Sequence, residues 1–299
     1  MAETDGMLPS LFIAGTPKSG TSSVFRWLAD HPQAHGSAPK ETCFFADQDS
    51  HVFLPDFNSS LGLALYRTAF AHPPDQTRIL FEGTASYIYS RTALDQIPDL
   101  PGQPKCLFIL REPAAQIHST YTYFRNNWAA IPSGMSFVDY LAALRDGSHD
   151  FGGNELIRDA LGNARYAPWL LRWRERLGAE RMKVRLFDDL RSDPKTFMID
   201  LALWSGIDPA FYESYSFEAE NESYAPISHR LQRLNIAVRD RLPKGQIYDA
   251  TRRLYRRFNT RAPDRTTDQE ILAQLSTDFC EANRQLEDEF GLDLSAWAR

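Results

Sequence analysis

The sequence predicts an α/β fold of three layers, a central parallel sheet flanked by helices. Three observations predict it. Short, continuous apolar runs of strand length occur at Leu11–Gly15, 79–81 and 106–110. The first and third are each followed by turn formers and then a helical pattern. Strands alternating with helices along one chain favour a parallel sheet covered on both faces, where strands read as unbroken apolar runs.

Taken in order, Leu11–Gly15 is the first strand, Gly-Thr-Pro-Lys-Ser-Gly the turn, and Thr21–Ala29 a helix carrying Val24, Phe25, Trp27 and Leu28. The run 106–110 ends in Arg111-Glu112-Pro113, and a helix over 114–124 follows, with Pro113 in the first turn, where its missing N–H costs nothing. An amphipathic helix is expected over 161–177, with Leu170, Leu171 and Trp173 on its apolar side. A strand over 182–187 and a helix over Pro194–Ser205 closed by Gly206 come next. The tail reads as a helix over 268–290, stopped by Gly291. The whole of 1–299 is read as one domain, with 221–265 a candidate variable helical insert or cap; its arginine-rich part, 230–257, reads as a solvated helical face.

Bulk properties narrow the function. A formal net charge of −6 argues against a general nucleic-acid binder. Local donors can still hold a small anion. Cys43, Cys106 and Cys280 have no metal-ligand spacing and read as reduced thiols. The acidic, polar start has neither a basic n-region nor an apolar h-region, and no apolar run is long enough to cross a bilayer. The expectation is a cytoplasmic protein with no membrane span.

The first loop carries the chemistry. Backbone N–H groups at a helix N-terminus, with the helix dipole behind them, favour an anion. Glycines allow close approach of the backbone, and Thr21, Ser22 and Ser23 add hydroxyls. The two glycines, Gly15 and Gly20, keep the spacing of a nucleotide-triphosphatase P-loop, so the fold reads as P-loop-like. Thr21, however, stands where that loop has lysine, and the cation sits earlier, at Lys18. That displacement disfavours ATP chemistry. At the end of the 106–110 strand, Arg111 offers a planar fork suited to phosphate, and Ser119, two turns into the next helix, adds a hydroxyl. In a parallel sheet both places lie beyond the carboxyl ends of the strands, where ligands bind.

Together the two loops resemble those of the family of sulfotransferases that use 3′-phosphoadenosine 5′-phosphosulfate (PAPS), in its heparan-sulfate-type and related bacterial branch. Leu28, His31-Pro32, Lys40-Glu41 and Phe44-Phe45 match the segment after the first loop. Tyr166, Leu170 and Trp173, and then Phe187-Asp188-Asp189-Leu190 through Asp193-Pro194, match later landmarks. The likeness covers roughly residues 10–210. It implies that Lys18, Ser19, Gly20, Thr21, Ser22 and Ser23 hold the 5′-phosphosulfate, that Arg111 and Ser119 hold the 3′-phosphate, and that Glu41 is the general base beside a catalytic Lys18. The product would be 3′,5′-adenosine bisphosphate (PAP), and no metal is expected. One departure stands out: Gly83 occupies the place where heparan-type enzymes often carry a lysine. His31, His35 and His118 are weaker candidates for the base. The acceptor is expected to be a small molecule or glycan bearing a hydroxyl or amine. Tyr87, Tyr89, Tyr121, Tyr123, Phe124 and Trp128 divide between core and acceptor pocket. Two alternatives stay open, a small-molecule kinase of P-loop type and a non-catalytic nucleotide-binding relative.

Overall fold

The computed structural model describes residues 8–218, 225–226, 231, 260–261 and 268–297. Apart from Leu231 and the short antiparallel pairing of Ala225–Pro226 with Thr260–Arg261, the insert expected at 221–265 lies outside the described residues. The described chain forms two compact units, one of residues 8–112, 165–218 and 281–294, the other chiefly of 113–164 and 268–280.

The first unit is built on a five-stranded sheet of β1 (Leu11–Gly15), β2 (Ala34–Gly36), β3 (Ile79–Glu82), β4 (Lys105–Leu110) and β5 (Met182–Leu186), in the order β2-β3-β1-β4-β5. Every pairing is parallel. The chain leaves β1 to build β3 on one side and later β4 on the other, so the crevice beyond β1 lies where the strand order reverses, the usual ligand site of such sheets. The period of two sorts side chains between two faces. Leu11, Ile13, Leu107 and Ile109 pack with Val24, Trp27 and Leu28 of helix Thr21–Ala29 and with Phe197, Met198 and Leu201 of helix Pro194–Ser205. Phe12 and Phe108 face the other way, toward Phe45 and Trp173, with ring centroids 6.2 Å and 5.4 Å apart.

The second unit is helical. Helix Pro113–Tyr123 and helix Phe137–Asp146 join through the rings of Tyr121, Phe137 and Tyr140. Ser136 and Asp139 form a capping box at the start of the second helix. Among the described residues no helix is long and apolar enough to cross a membrane.

Several elements differ from the sequence expectation. The helix foreseen over 161–177 begins at Tyr166, after a separate single turn at Ala160–Asn163. Pro168 is the reason: in a continuous helix its ring would clash with the carbonyl of Ala164, whereas in the first turn after Arg165 it is tolerated. Strand β5 stops at Leu186, and Phe187 opens helix Phe187–Ser192. The tail is two helices, Gln269–Asp278 and Cys280–Phe290, interrupted at the buried Phe279. Strand β2, three residues long, was not foreseen.

Candidate active site

Strand β1 ends in a bulge, where its register against β4 slips between Ile13 and Gly15. Bulges of this kind re-aim a chain next to active sites. The chain is then stitched to β4, for both the amide and the hydroxyl of Thr16 donate to the carbonyl of Ile109, at 2.9 Å and 3.0 Å. Thr16 Oγ1 also lies 2.7 Å from Ser19 Oγ, closing the turn. Gly20 caps helix Thr21–Ala29 with φ at 83°, and a Cβ there would come within 2.6 Å of Leu190. Glycine is required on both counts. The first turn of that helix holds no acidic residue, and Thr21, Ser22 and Ser23 line its start.

Lys18 occupies the bend with φ at 68°, a left-handed conformation that non-glycine residues adopt mostly where a surrounding structure imposes it. Enclosure of its ammonium pulls the Lys18 pKa down to about 8, with Arg111 and Lys40 acting the same way and Glu41 opposing them. Arg111 helps to fix the bend. Its Nη1 donates to the carbonyl of Lys18 at 2.9 Å, and its guanidinium lies 4.9 Å from the centre of the Phe187 ring. The carbonyl of Arg111 in turn accepts from the Tyr166 hydroxyl at 2.8 Å. Three cations and one carboxylate therefore converge at the end of β1, an arrangement that costs charge repulsion unless an anion joins it.

Glu41 lies beside this cluster. Its carboxylate accepts from Lys40 Nζ at 2.8 Å, with the Glu41 side chain 53% exposed, so the pair itself adds little stability. The Lys40 ammonium sits 6.0 Å from the Phe25 ring, and the Lys40 carbonyl accepts from the amide of Gly83. A Cβ at Gly83 would meet Phe25 at 2.7 Å. The absence of a side chain at 83 thus leaves room for Phe25 and for the course of Lys40.

Ser119 is buried on helix Pro113–Tyr123 of the second unit. His31 is structural: its ring bonds the carbonyl of Asp208 and accepts from the amide of Gln33, while packing on Phe211. His118 pairs with Asp268 at 3.0 Å. Tyr87 and Tyr121 are core residues. Tyr89, Tyr123 and Phe124 are half-buried and Trp128 is exposed.

Sequence reasoning missed the part played by Glu82. It closes β3 beside Phe12 and is fully buried. Tyr66 donates to it at 2.5 Å, Tyr87 at 3.3 Å, and Thr84 by a further short bond. Burial pushes its carboxyl above the ordinary glutamate range, and these hydroxyls oppose the shift. The one available signal was an acidic residue ending an otherwise apolar strand.

No protein-family model matches the chain. It is 25% identical over 205 residues to the bifunctional heparan sulfate N-deacetylase/N-sulfotransferase 4 of Mus musculus, covering 68% of this chain and 23% of that protein. It is likewise 25% identical over 219 residues to the N-deacetylase/N-sulfotransferase 1 of Caenorhabditis elegans, covering 71% of this chain and 24% of that one. The chain therefore spans about a quarter of the length of these curated relatives. A crystal structure of a sulfotransferase from Alicyclobacillus acidocaldarius superposes with a TM-score of 0.68 over 98% of this chain and 99% of that one, at 21% identity, which establishes the shared fold. The likenesses of this chain thus run to proteins named for N-sulfotransferase activity and, in fold, to a solved sulfotransferase, in keeping with the displaced lysine of the first loop and the arginine after β4.

Proposed function

We propose that this chain transfers a sulfuryl group from PAPS to a hydroxyl or amine of a small-molecule or glycan acceptor, as a cytoplasmic enzyme whose units work as one domain. The observation that carries the proposal is the enclosed Lys18 at the bend of the loop, its pKa drawn down to about 8 beside Arg111. The donor set fits an anionic nucleotide, because lysine, arginine and hydroxyls meet at a helix start free of acidic residues.

PAPS supplies the activated sulfuryl group and a phosphate that departs with negative charge. The protein's work is to align the partners and meet that charge. Lys18 and the segment Ser19, Gly20, Thr21, Ser22 and Ser23 are assigned to the 5′ end, where one preorganised donor contributes about 3 kcal/mol to lowering the barrier. Arg111 and Ser119 are assigned to the 3′-phosphate on their spacing in the sequence. Glu41 is assigned as general base, taking the proton of the acceptor. Its carboxylate accepts from Lys40 Nζ at 2.8 Å and stands beside the loop that carries Lys18. No metal ion is part of this scheme.

A kinase would need the lysine at the helix start, where Thr21 stands. A screen of hydroxyl- and amine-bearing acceptors with 35S-labelled PAPS tests the proposal. Transfer of label to one acceptor class is expected, and ATP should not replace the donor. Phosphoryl transfer from ATP would favour the kinase, and binding of PAP with no transfer to any acceptor would favour the non-catalytic relative.

A further inference from the structure

Glu82 touches neither Lys18 nor Glu41, yet its hydroxyl partners all lead to the segment that follows Glu41. Tyr66, Thr84 and Tyr87 each direct their proton to its carboxylate. Their oxygens are thereby left with lone pairs to offer elsewhere. Thr84 Oγ1 accepts from the amide of Cys43 at 3.2 Å. The Tyr87 hydroxyl accepts from the amide of Phe45 at 3.1 Å. Thr42 Oγ1 lies 3.3 Å from the Tyr87 oxygen, whose proton points to Glu82, so Thr42 donates there and accepts from the amide of Phe44 at 3.2 Å. Three consecutive amides, 43 to 45, therefore hang on hydroxyls oriented by one carboxylate. Tyr66 adds a second hold, stacking on Phe44 with ring centroids 4.5 Å apart.

The segment needs such support. Cys43 has φ at 54°, left-handed for a residue with a side chain. Gly83, next to Glu82, ties the other end by donating its amide to the carbonyl of Lys40, which Ser37 also bonds. Both ends of Glu41's neighbourhood are thus fixed by the end of β3.

We infer that Glu82 is a positioning residue, which polarises a buried hydroxyl network so that residues 42–45 are held and Glu41 stands beside Lys18. The inference rests on the assignment of Glu41 as the base. A carboxylate is required, because the amide nitrogen of a glutamine cannot accept from Tyr66 and Tyr87 and would reverse part of the network.

The test combines Glu82→Gln with residue-resolved amide hydrogen exchange, PAP binding and turnover. Exchange at Cys43, Phe44 and Phe45 should quicken about tenfold or more, with the amides of β1 and β4 unchanged. kcat should fall about tenfold or more while the PAP dissociation constant stays within about twofold. Tyr87→Phe, a milder change, should release the Phe45 amide in the same assay and serves if Glu82→Gln does not fold. Unaltered exchange at the three amides in the variants that fold overturns the inference, as does a uniform quickening across the sheet with kcat and PAP binding lost in parallel. If the wild-type chain transfers no sulfuryl group, the functional reading fails by itself, and the exchange experiment still decides whether Glu82 holds the segment.

Discussion

Lys18 has an ammonium that is partly stripped of water and faces Arg111 and Lys40. With its pKa near 8, it is charged below that pH and neutral above it. An anionic nucleotide binds the charged form. With the phosphates of PAP already ionised, its affinity should be flat from about pH 7 to 8 and weaken by about tenfold per pH unit well above that, a slope that titration calorimetry would read. Lys18→Met should bind weakly at neutral pH and lose that slope. Glu41 makes a separate prediction. Glu41→Gln should lower kcat by about 100-fold and leave PAP binding intact, because a base acts on the acceptor proton and not on the nucleotide. Loss of PAP binding with normal kcat would remove Glu41 from this role. Lys18, Arg111 and Glu41 could be singled out as candidates in the sequence because each sits in a short motif. Their mutual electrostatics were not legible there, since Lys18, Glu41 and Arg111 come from three separated segments.

At the scale of elements, the strand-loop-helix unit was readable because local chemistry decides it: an apolar run, a cluster of turn formers, then helical spacing. Helix Thr21–Ala29 and helix Pro194–Ser205 fall where the pattern put them. Strand β2 has only Ala34, His35 and Gly36, too few residues for any period, and exists because β3 pairs with it. The network around Glu82 was hidden for a like reason, its partners Tyr66, Thr84 and Tyr87 being brought together by the fold. Gly20 gives the prediction proper to this scale. Gly20→Ala forces a Cβ into Leu190 at 2.6 Å while keeping φ at 83°. The variant should lose about 1–3 kcal/mol of stability, measured by urea unfolding, and should weaken PAP binding by displacing the loop. Native stability would mean that the loop and helix Phe187–Ser192 can part without cost.

For the molecule as a whole, the proposed binding of an anion by a chain of net charge −6 rests on local concentration of donors, not on net charge. Binding to the folded state alone must raise stability. PAP at 100 times its dissociation constant should add about 2.7 kcal/mol and lift the melting temperature by several degrees, while ATP at equal concentration should do little. The sheet and the likeness to sulfotransferases were readable from residues 10–210 because the strands and the two loops that carry Lys18 and Arg111 lie there. The acceptor was not, because the aromatic residues after β3 and β4 divide between core and surface according to packing that no local pattern reveals.

The most direct test compares the affinities of PAP and 5′-AMP by titration calorimetry in the wild type, Lys18→Met and Arg111→Ala. Arg111 also steadies Lys18 through its carbonyl, so damage to the loop weakens both nucleotides and cancels in their ratio. The account predicts a strong wild-type preference for PAP, preserved in Lys18→Met although both ligands bind more weakly, and largely abolished in Arg111→Ala. A wild type indifferent to the 3′-phosphate, or an Arg111→Ala variant that keeps the full preference, would contradict it.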